Sequence, residues 1–257
     1  MSIARVLIIA GSDSGGGAGI QADVKTVTML GGHAMTAVTA LTAQNTLGVQ
    51  GVMPVPADFV LQQIDSVVSD IGVDAVKIGM IGSAATAEAL AARLGGFDVP
   101  IVFDPVMVAT SGAALADDAT IAAFGRLMRA ASVVTPNLPE LEALGGARAV
   151  LEHGCHLVIK GGHAEGPWIV DRVIAPSGEE VARLEGKRFD TDETHGTGCT
   201  FASALATRLG QGVPIDEAFR HAVRFVRIAL LSAPGLGQGH GPMNHALGYD
   251  PFEELEG

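Results

Sequence analysis

Thr194-His195-Gly196-Thr197-Gly198-Cys199 stands directly before the helix-period run Thr200 to Leu209. A glycine-rich helix start leaves backbone N–H groups without intrahelical acceptors beside the positive end of the helix dipole. Such a turn suits an anion, and in particular a phosphoryl group in transfer, so Gly196, Thr197 and Gly198 are candidate catalytic backbone donors. The same helix end lowers the pKa of a thiol, so Cys199 is expected to move towards neutrality and to act as a base. The alternative for a lone cysteine is a small packing residue.

A second group follows apolar runs. Asp104-Pro105 comes after Ile101 to Phe103, and Pro136-Asn137-Leu138-Pro139-Glu140 comes after Ser132 to Thr135. In a parallel sheet the ligand crevice lies outside the carboxyl ends of the strands, where Asp104, Asn137 and Glu140 could converge. Asn137 and Glu140 are three apart and share a helix face, and carboxylates with an amide oxygen near phosphates suit hydrated Mg²⁺. Asn137 as an N-cap and Glu140 as its capping-box partner is the other reading.

The run Gly11 to Gly19 carries five glycines between a strand and a helix, which would let a ligand approach bare N–H groups. Gly17-Ala18-Gly19-Ile20-Gln21-Ala22 fits the dinucleotide pattern, but the acidic residue expected about 20 positions on is absent. Val24-Lys25-Thr26 lacks the glycine of a Walker A loop. Asp13-Ser14-Gly15-Gly16 resembles a serine-protease turn only superficially, since no disulfide framework accompanies it.

Continuous apolar runs of strand length position these groups: Val6 to Ala10, Ala34 to Leu41, Ala75 to Ile78, Ile101 to Phe103, Ser132 to Thr135 and His156 to Ile159. Between them lie helix-period stretches, Ile20 to Leu30, Asp58 to Ile71, Ser83 to Leu94, Asp117 to Ala130 and Leu138 to Leu144. The alternation predicts an α/β fold with a mostly parallel sheet covered on both faces. Trp168 to Ala175 and Glu180 to Phe189 flank Pro176-Ser177-Gly178 and predict an antiparallel edge hairpin. Helices over Thr197 to Leu209 and Ile215 to Leu231 follow, then a Gly/Pro-rich tail from Pro234. No repeat or linker divides the 257 residues, so residues 1–257 are expected to form one domain.

Sixteen Lys and Arg against 28 Asp and Glu give a formal charge of -12, a field that repels nucleic acid and anionic membrane. No stretch reaches the roughly 18 to 20 apolar residues that a span requires. Two cysteines, Cys155 and Cys199, are too few for a disulfide scaffold and agree with a reducing, cytoplasmic setting.

Seven segments occur in order: Gly11-Ser12-Asp13 with Gly15 to Asp23, Thr42-Ala43-Gln44-Asn45-Thr46, Lys77-Ile78-Gly79-Met80, Asp104-Pro105-Val106-Met107, Thr135-Pro136-Asn137-Leu138-Pro139-Glu140, Lys160-Gly161-Gly162-His163 and His195-Gly196-Thr197-Gly198-Cys199. The series resembles hydroxymethylpyrimidine/phosphomethylpyrimidine kinases of the ribokinase-like superfamily, from residue 3 to about 210. The resemblance implies a ribokinase-like sheet, ATP with Mg²⁺, phosphorylation of the substrate hydroxymethyl and then of the resulting phosphate in thiamine biosynthesis, and a homodimer. It further implies an anion hole at Gly196 to Cys199, Cys199 as base, Asp104 and Glu140 at the metal, and Lys160 facing the nucleotide phosphates, with Asn137 on the same rim. Gln44 would read the pyrimidine in a pocket lined by Gly11, Asp23 and Met80. A carboxamide offers an acceptor and a donor side by side, the complement of an aminopyrimidine edge; otherwise a Gln in a polar loop such as Thr42 to Thr46 is simply solvated. The stretch from Glu140 to Lys160 is shorter than is usual for the family, which puts its helix and the nucleotide rim in question.

Two other functions compete. A pyridoxal or pyridoxine kinase of the same superfamily would take a similar flat heteroaromatic alcohol. A non-catalytic pyrimidine-binding protein would have no need to retain Asp104, Glu140, Lys160 and Cys199 together.

Overall fold

The computed structural model describes residues 3–163, without the side chain of His163, and 165–247; the end of the tail, 248–257, lies outside the described residues. Arg5–Asp13 (β1) turns Val6, Ile8 and Ala10 to one face and Leu7 and Ile9 to the other, and all five are buried. A strand apolar on both sides must be covered on both sides, and the rest of the chain supplies the covers. In order, β1 is followed by α1 (Gly19–Met29), β2 (His33–Asn45), β3 (Gly48–Pro54), α2 (Ala57–Asp70), β4 (Ala75–Ile78), α3 (Ala84–Leu94), β5 (Ile101–Phe103) and α4 (Asp118–Ala130). Then come β6 (Val133–Val134), α5 (Leu138–Ala143), α6 (Gly146–Leu151), β7 (His156–Ile159), β8 (Trp168–Ile174), β9 (Glu180–Lys187), α7 (Thr197–Gly210) and α8 (Ile215–Leu231).

The strands form one sheet in the order β3-β2-β1-β4-β5-β6-β7-β8-β9. β2 through β7 are parallel in that order, while β3 at one edge and β8 and β9 at the other are antiparallel. Helices α2, α3, α4 and α6 bury Val60, Ile64, Leu90, Leu94, Phe124 and Val150 against one face. Helices α1, α7 and α8 bury Val27, Ala202, Leu205 and Phe219 against the other. The chain leaves β1 towards β2 on one side and returns to β4 on the other, so the strand order reverses at β1. That switch point opens a crevice at the carboxyl ends of β1 and β4.

Local expectations change at the end of β2 and before β7. The run Ala34 to Leu41 continues as strand to Asn45, so Thr42 to Asn45 lie in a strand end and not in a solvated loop. It is held by β3, which pairs Thr42 with Val52 and Gln44 with Val49 and which carries two glycines, a proline and no buried face. With neither face in the core, β3 has no alternation to betray it. The helix expected over Leu138 to Leu144 forms as α5 and stops before Gly145 and Gly146, both left-handed with φ of 86° and 85°, and a further, unexpected short helix, α6, occupies the compact stretch before β7. No helix among the described residues is long and apolar enough to cross a membrane.

Candidate active site

The start of α7 is held against two other segments by glycines. Gly196 is its N-cap, left-handed at φ 84°, and a methyl there would run into the Gly17 backbone. A methyl at Gly198 would sit 3.3 Å from both Asp104 Oδ2 and Lys160 Nζ. No side chain caps this helix, and the N–H groups of Gly198 and Cys199 have no acceptor within it. The turn thus offers donors beside a cation, as an anion hole requires.

Cys199 departs from expectation. Burial pushes its thiol up to about 11, against a lowering influence of Lys77. Desolvation of the thiolate outweighs the helix end, so the group is a protonated thiol at neutral pH.

At the ends of β5, β6 and β7 the predicted charged residues meet. Lys160 Nζ lies 2.8 Å from Asp104 Oδ1, to which Thr135 Oγ1 also donates at 3.1 Å. Glu140 is buried, and burial, opposed by Lys160 and reinforced by Asp104, raises its carboxyl to about 7. Burial works against the charge on Lys160, but Asp104 and Glu140 outweigh it and raise its pKa above the ordinary range. The capping-box reading of Asn137 and Glu140 is the one the structure shows directly. They form a capping box on α5, Glu140 N–H donating to Asn137 Oδ1 at 2.9 Å and Asn137 N–H to Glu140 Oε2 at 2.8 Å, and Glu140 still reaches the field of Asp104 and Lys160. Two crowded carboxylates fit a hydrated Mg²⁺. No cluster of three or more metal-ligating side chains occurs among the described residues, so water and phosphate oxygens would have to complete such a shell.

The glycine-rich loop does something other than present bare N–H groups to a ligand. Gly15, Gly17 and Ala18 donate to the Asp13 carboxylate at 2.8, 3.0 and 2.8 Å, and Gly16 to the Asp13 carbonyl at 3.0 Å. Asp13 therefore closes the loop that leads into α1, a helix whose own first turn has no side-chain cap. The same carboxylate meets His195 Nε2 at 2.9 Å, and His195 in turn meets the carboxamide of Gln44 at 3.2 Å. The ends of β1 and β2 and the turn before α7 are thereby tied together. Gly11 and Met80 adjoin: a methyl at Gly11 would lie 2.9 Å from Met80 Sδ.

Asp23 does not line a pocket. It is fully buried beneath α7, with Lys77 Nζ at 2.8 and 2.9 Å and Ser203 Oγ at 2.7 Å. Burial opposes the charge on Lys77, but Asp23 keeps it protonated. A charged residue inside the apolar run Ala75 to Ile78 signals a buried partner; that the partner is on α1 is a tertiary fact. Asp13, Lys77, His195 and Ser203 were all missed as site residues for this reason.

Residues 13–244 match the family described as phosphomethylpyrimidine kinase. The chain belongs to that family. Among curated relatives of this phosphomethylpyrimidine kinase family member, the thiamine biosynthesis bifunctional protein ThiED of Geobacter sulfurreducens is 48% identical over 94% of the chain, which spans about half (52%) of that longer protein. The hydroxymethylpyrimidine/phosphomethylpyrimidine kinase of Bacillus subtilis is 45% identical, covering 95% of this chain and 96% of that one. Among solved structures, the ADP complex of Bacillus subtilis pyridoxal kinase superposes with a TM-score of 0.85 at 33% identity, over 95% of this chain and 98% of that one. The chain thus has a ribokinase-like fold and belongs to a family of kinases by its sequence.

Proposed function

We propose that the chain, as a single kinase domain, transfers the γ-phosphoryl group of ATP to the hydroxymethyl of 4-amino-5-hydroxymethyl-2-methylpyrimidine and then phosphorylates the monophosphate to the diphosphate, as in thiamine biosynthesis. The observation that carries this reading is the meeting of the Gln44 carboxamide, through His195, with an uncapped helix start beside the Asp104–Lys160 pair. A ring-edge reader at the end of β2 and a phosphoryl site at the start of α7 are thereby joined through His195. The curated relatives of full length support the same reading.

In this reading the backbone of Gly196 to Cys199 holds the transferring phosphoryl group, and Lys160 and Asn137 face the nucleotide phosphates. Asp104 and Glu140 would hold Mg²⁺, which when bound neutralises phosphate charge. Gln44 reads the ring, and Cys199, in the small thiolate fraction that grows as pH rises, takes the hydroxymethyl proton. Gly11 and Met80 line the pocket, with the Asp23–Lys77 pair underneath. ATP as co-substrate and the two free cysteines support a cytoplasmic setting. The face carrying Leu41, Val52 and Met53, each more than 40% exposed, supports a homodimer; sedimentation of a Val52→Asp, Met53→Asp variant as a monomer is expected, and a parent monomer at micromolar concentration overturns it.

The likeness to pyridoxal kinase favours a second reading, phosphorylation of pyridoxal or pyridoxine. Coupled ATP-consumption assays against the hydroxymethylpyrimidine, its monophosphate, pyridoxine and ribose separate the two. A kcat/KM for pyridoxine at least tenfold above both pyrimidines, about 1.4 kcal/mol in transition-state binding, replaces the first reading by the second.

A further inference from the structure

Asp13 is an acceptor only, and four N–H donors converge on it. Burial works against its charge, yet the bonds from His195, Ala18 and Gly15 hold the carboxyl below its ordinary range. Facing this carboxylate at 2.9 Å, His195 Nε2 carries a proton whether the ring is neutral or charged. The same nitrogen lies 3.2 Å from the Gln44 carboxamide atom placed as Nε2, so two N–H groups would face each other there unless the amide is turned by half a turn. A protonated ring nitrogen has no lone pair with which to accept an amide N–H, so the carboxamide atom that faces it is the oxygen.

The other end of the carboxamide gives the same answer independently. Thr42 Oγ1 lies 3.0 Å from the Ser12 carbonyl, which can only accept, so the single hydroxyl proton is committed there. Thr42 Oγ1 also lies 3.2 Å from the Gln44 atom placed as Oε1. With its proton committed the hydroxyl can only accept, and the atom facing it is the amide nitrogen. The two ends of a carboxamide exchange by a half-turn, and the partners decide which orientation is held. Here both partners select one.

We infer that His195, anchored by Asp13, is a specificity-determining positioning residue: it fixes the Gln44 carboxamide with its oxygen towards α7 and its amide towards Thr42, so that the site reads a heteroaromatic edge in one donor–acceptor order. The ring it accepts carries a donor, such as an exocyclic amine, on the α7 side and an acceptor ring nitrogen on the Thr42 side. A 4-oxo, N3–H pyrimidine presents the reverse order. His195 has little freedom to turn away, since its backbone N–H donates to the Gly241 carbonyl at 3.2 Å and its ring packs so close to Gly17 that a methyl there would lie 2.5 Å from Cδ2.

The inference rests on the pyrimidine-kinase reading, and its test separates the two. kcat/KM is measured for 4-amino-5-hydroxymethyl-2-methylpyrimidine and for its 4-oxo counterpart with the parent, His195→Phe and Thr42→Val. The parent should prefer the amine by about 10²-fold or more, because the reversed edge leaves buried polar groups unpaired. His195→Phe should cut that ratio at least tenfold with KM for ATP within about twofold, and Thr42→Val should cut it in the same direction; should the first variant not fold, the second decides. Equal losses on both substrates with the ratio intact mean a purely structural role and overturn the inference. If the parent phosphorylates neither pyrimidine, the functional reading falls. Calorimetric binding of the two pyrimidines then decides the inference by the same ratio, and binding of neither overturns it.

Discussion

A thiol raised to about 11 is almost wholly protonated at neutral pH, and its thiolate fraction grows about tenfold per pH unit below that value. If Cys199 removes the hydroxymethyl proton, kcat should therefore rise steeply between pH 7 and 9, and Cys199→Ala should lower it by at least about 10²-fold and abolish the slope, with ATP affinity unchanged. A flat parent profile, or an alanine variant keeping more than about a third of kcat, removes the base and leaves an anion hole that works through its backbone. Glu140 titrates near 7 for the opposite reason to a salt-bridged carboxylate, being buried beside Asp104. Its charge is present above that pH and lost below it, so Mg²⁺ should bind less tightly at pH 6 than at pH 8. In Glu140→Gln the Mg²⁺ titration of activity should shift about tenfold to higher concentration and lose this pH dependence. Superimposable titrations for parent and variant would take Glu140 out of the metal site.

Elements deliver these groups through their ends. Asn137 caps α5 while Glu140 answers it, so Asn137→Ala should cost about 1 kcal/mol and lower the melting temperature by roughly 2–4 °C for a chain of this size. An unchanged melting curve would show that α5 does not depend on its cap. The apolar runs of β1, β4, β5, β6 and β7 were legible because they are buried on both faces, and α8 because its apolar residues Phe219, Ala222 and Val223 recur at helical spacing. The edge strand β3 was not legible, since pairing with β2 rather than burial makes it a strand. That one omission misplaced Gln44 in a loop. It also hid the strand end that brings Gln44 to His195.

At the scale of the whole molecule the tail closes over α7. His245 is buried, accepts from or donates to Thr200 Oγ1 at 2.8 Å, and burial, with Lys25 nearby, lowers its pKa to about 4. The unfolded chain binds a proton at His245 near pH 6.5 and the folded chain only near 4. The stability this neutral ring confers is complete above about 6.5 and is lost as pH falls towards 4. The parent should thus lose more melting temperature between pH 7 and pH 5 than His245→Asn, measured by calorimetry; equal losses would mean that the tail opens before the ring titrates. The sequence by itself determined the parallel α/β plan, the placing of Asp104, Asn137, Glu140 and Lys160 at strand ends, and the glycine turn before α7. Each follows from burial period or chain-local chemistry, which a linear pattern records. Only the tertiary structure decided that Asp13 engages His195 across 182 positions and Asp23 engages Lys77 across 54, or that Cys199 keeps its proton. Pairing and desolvation depend on which elements come together, and no spacing along the chain encodes that distance.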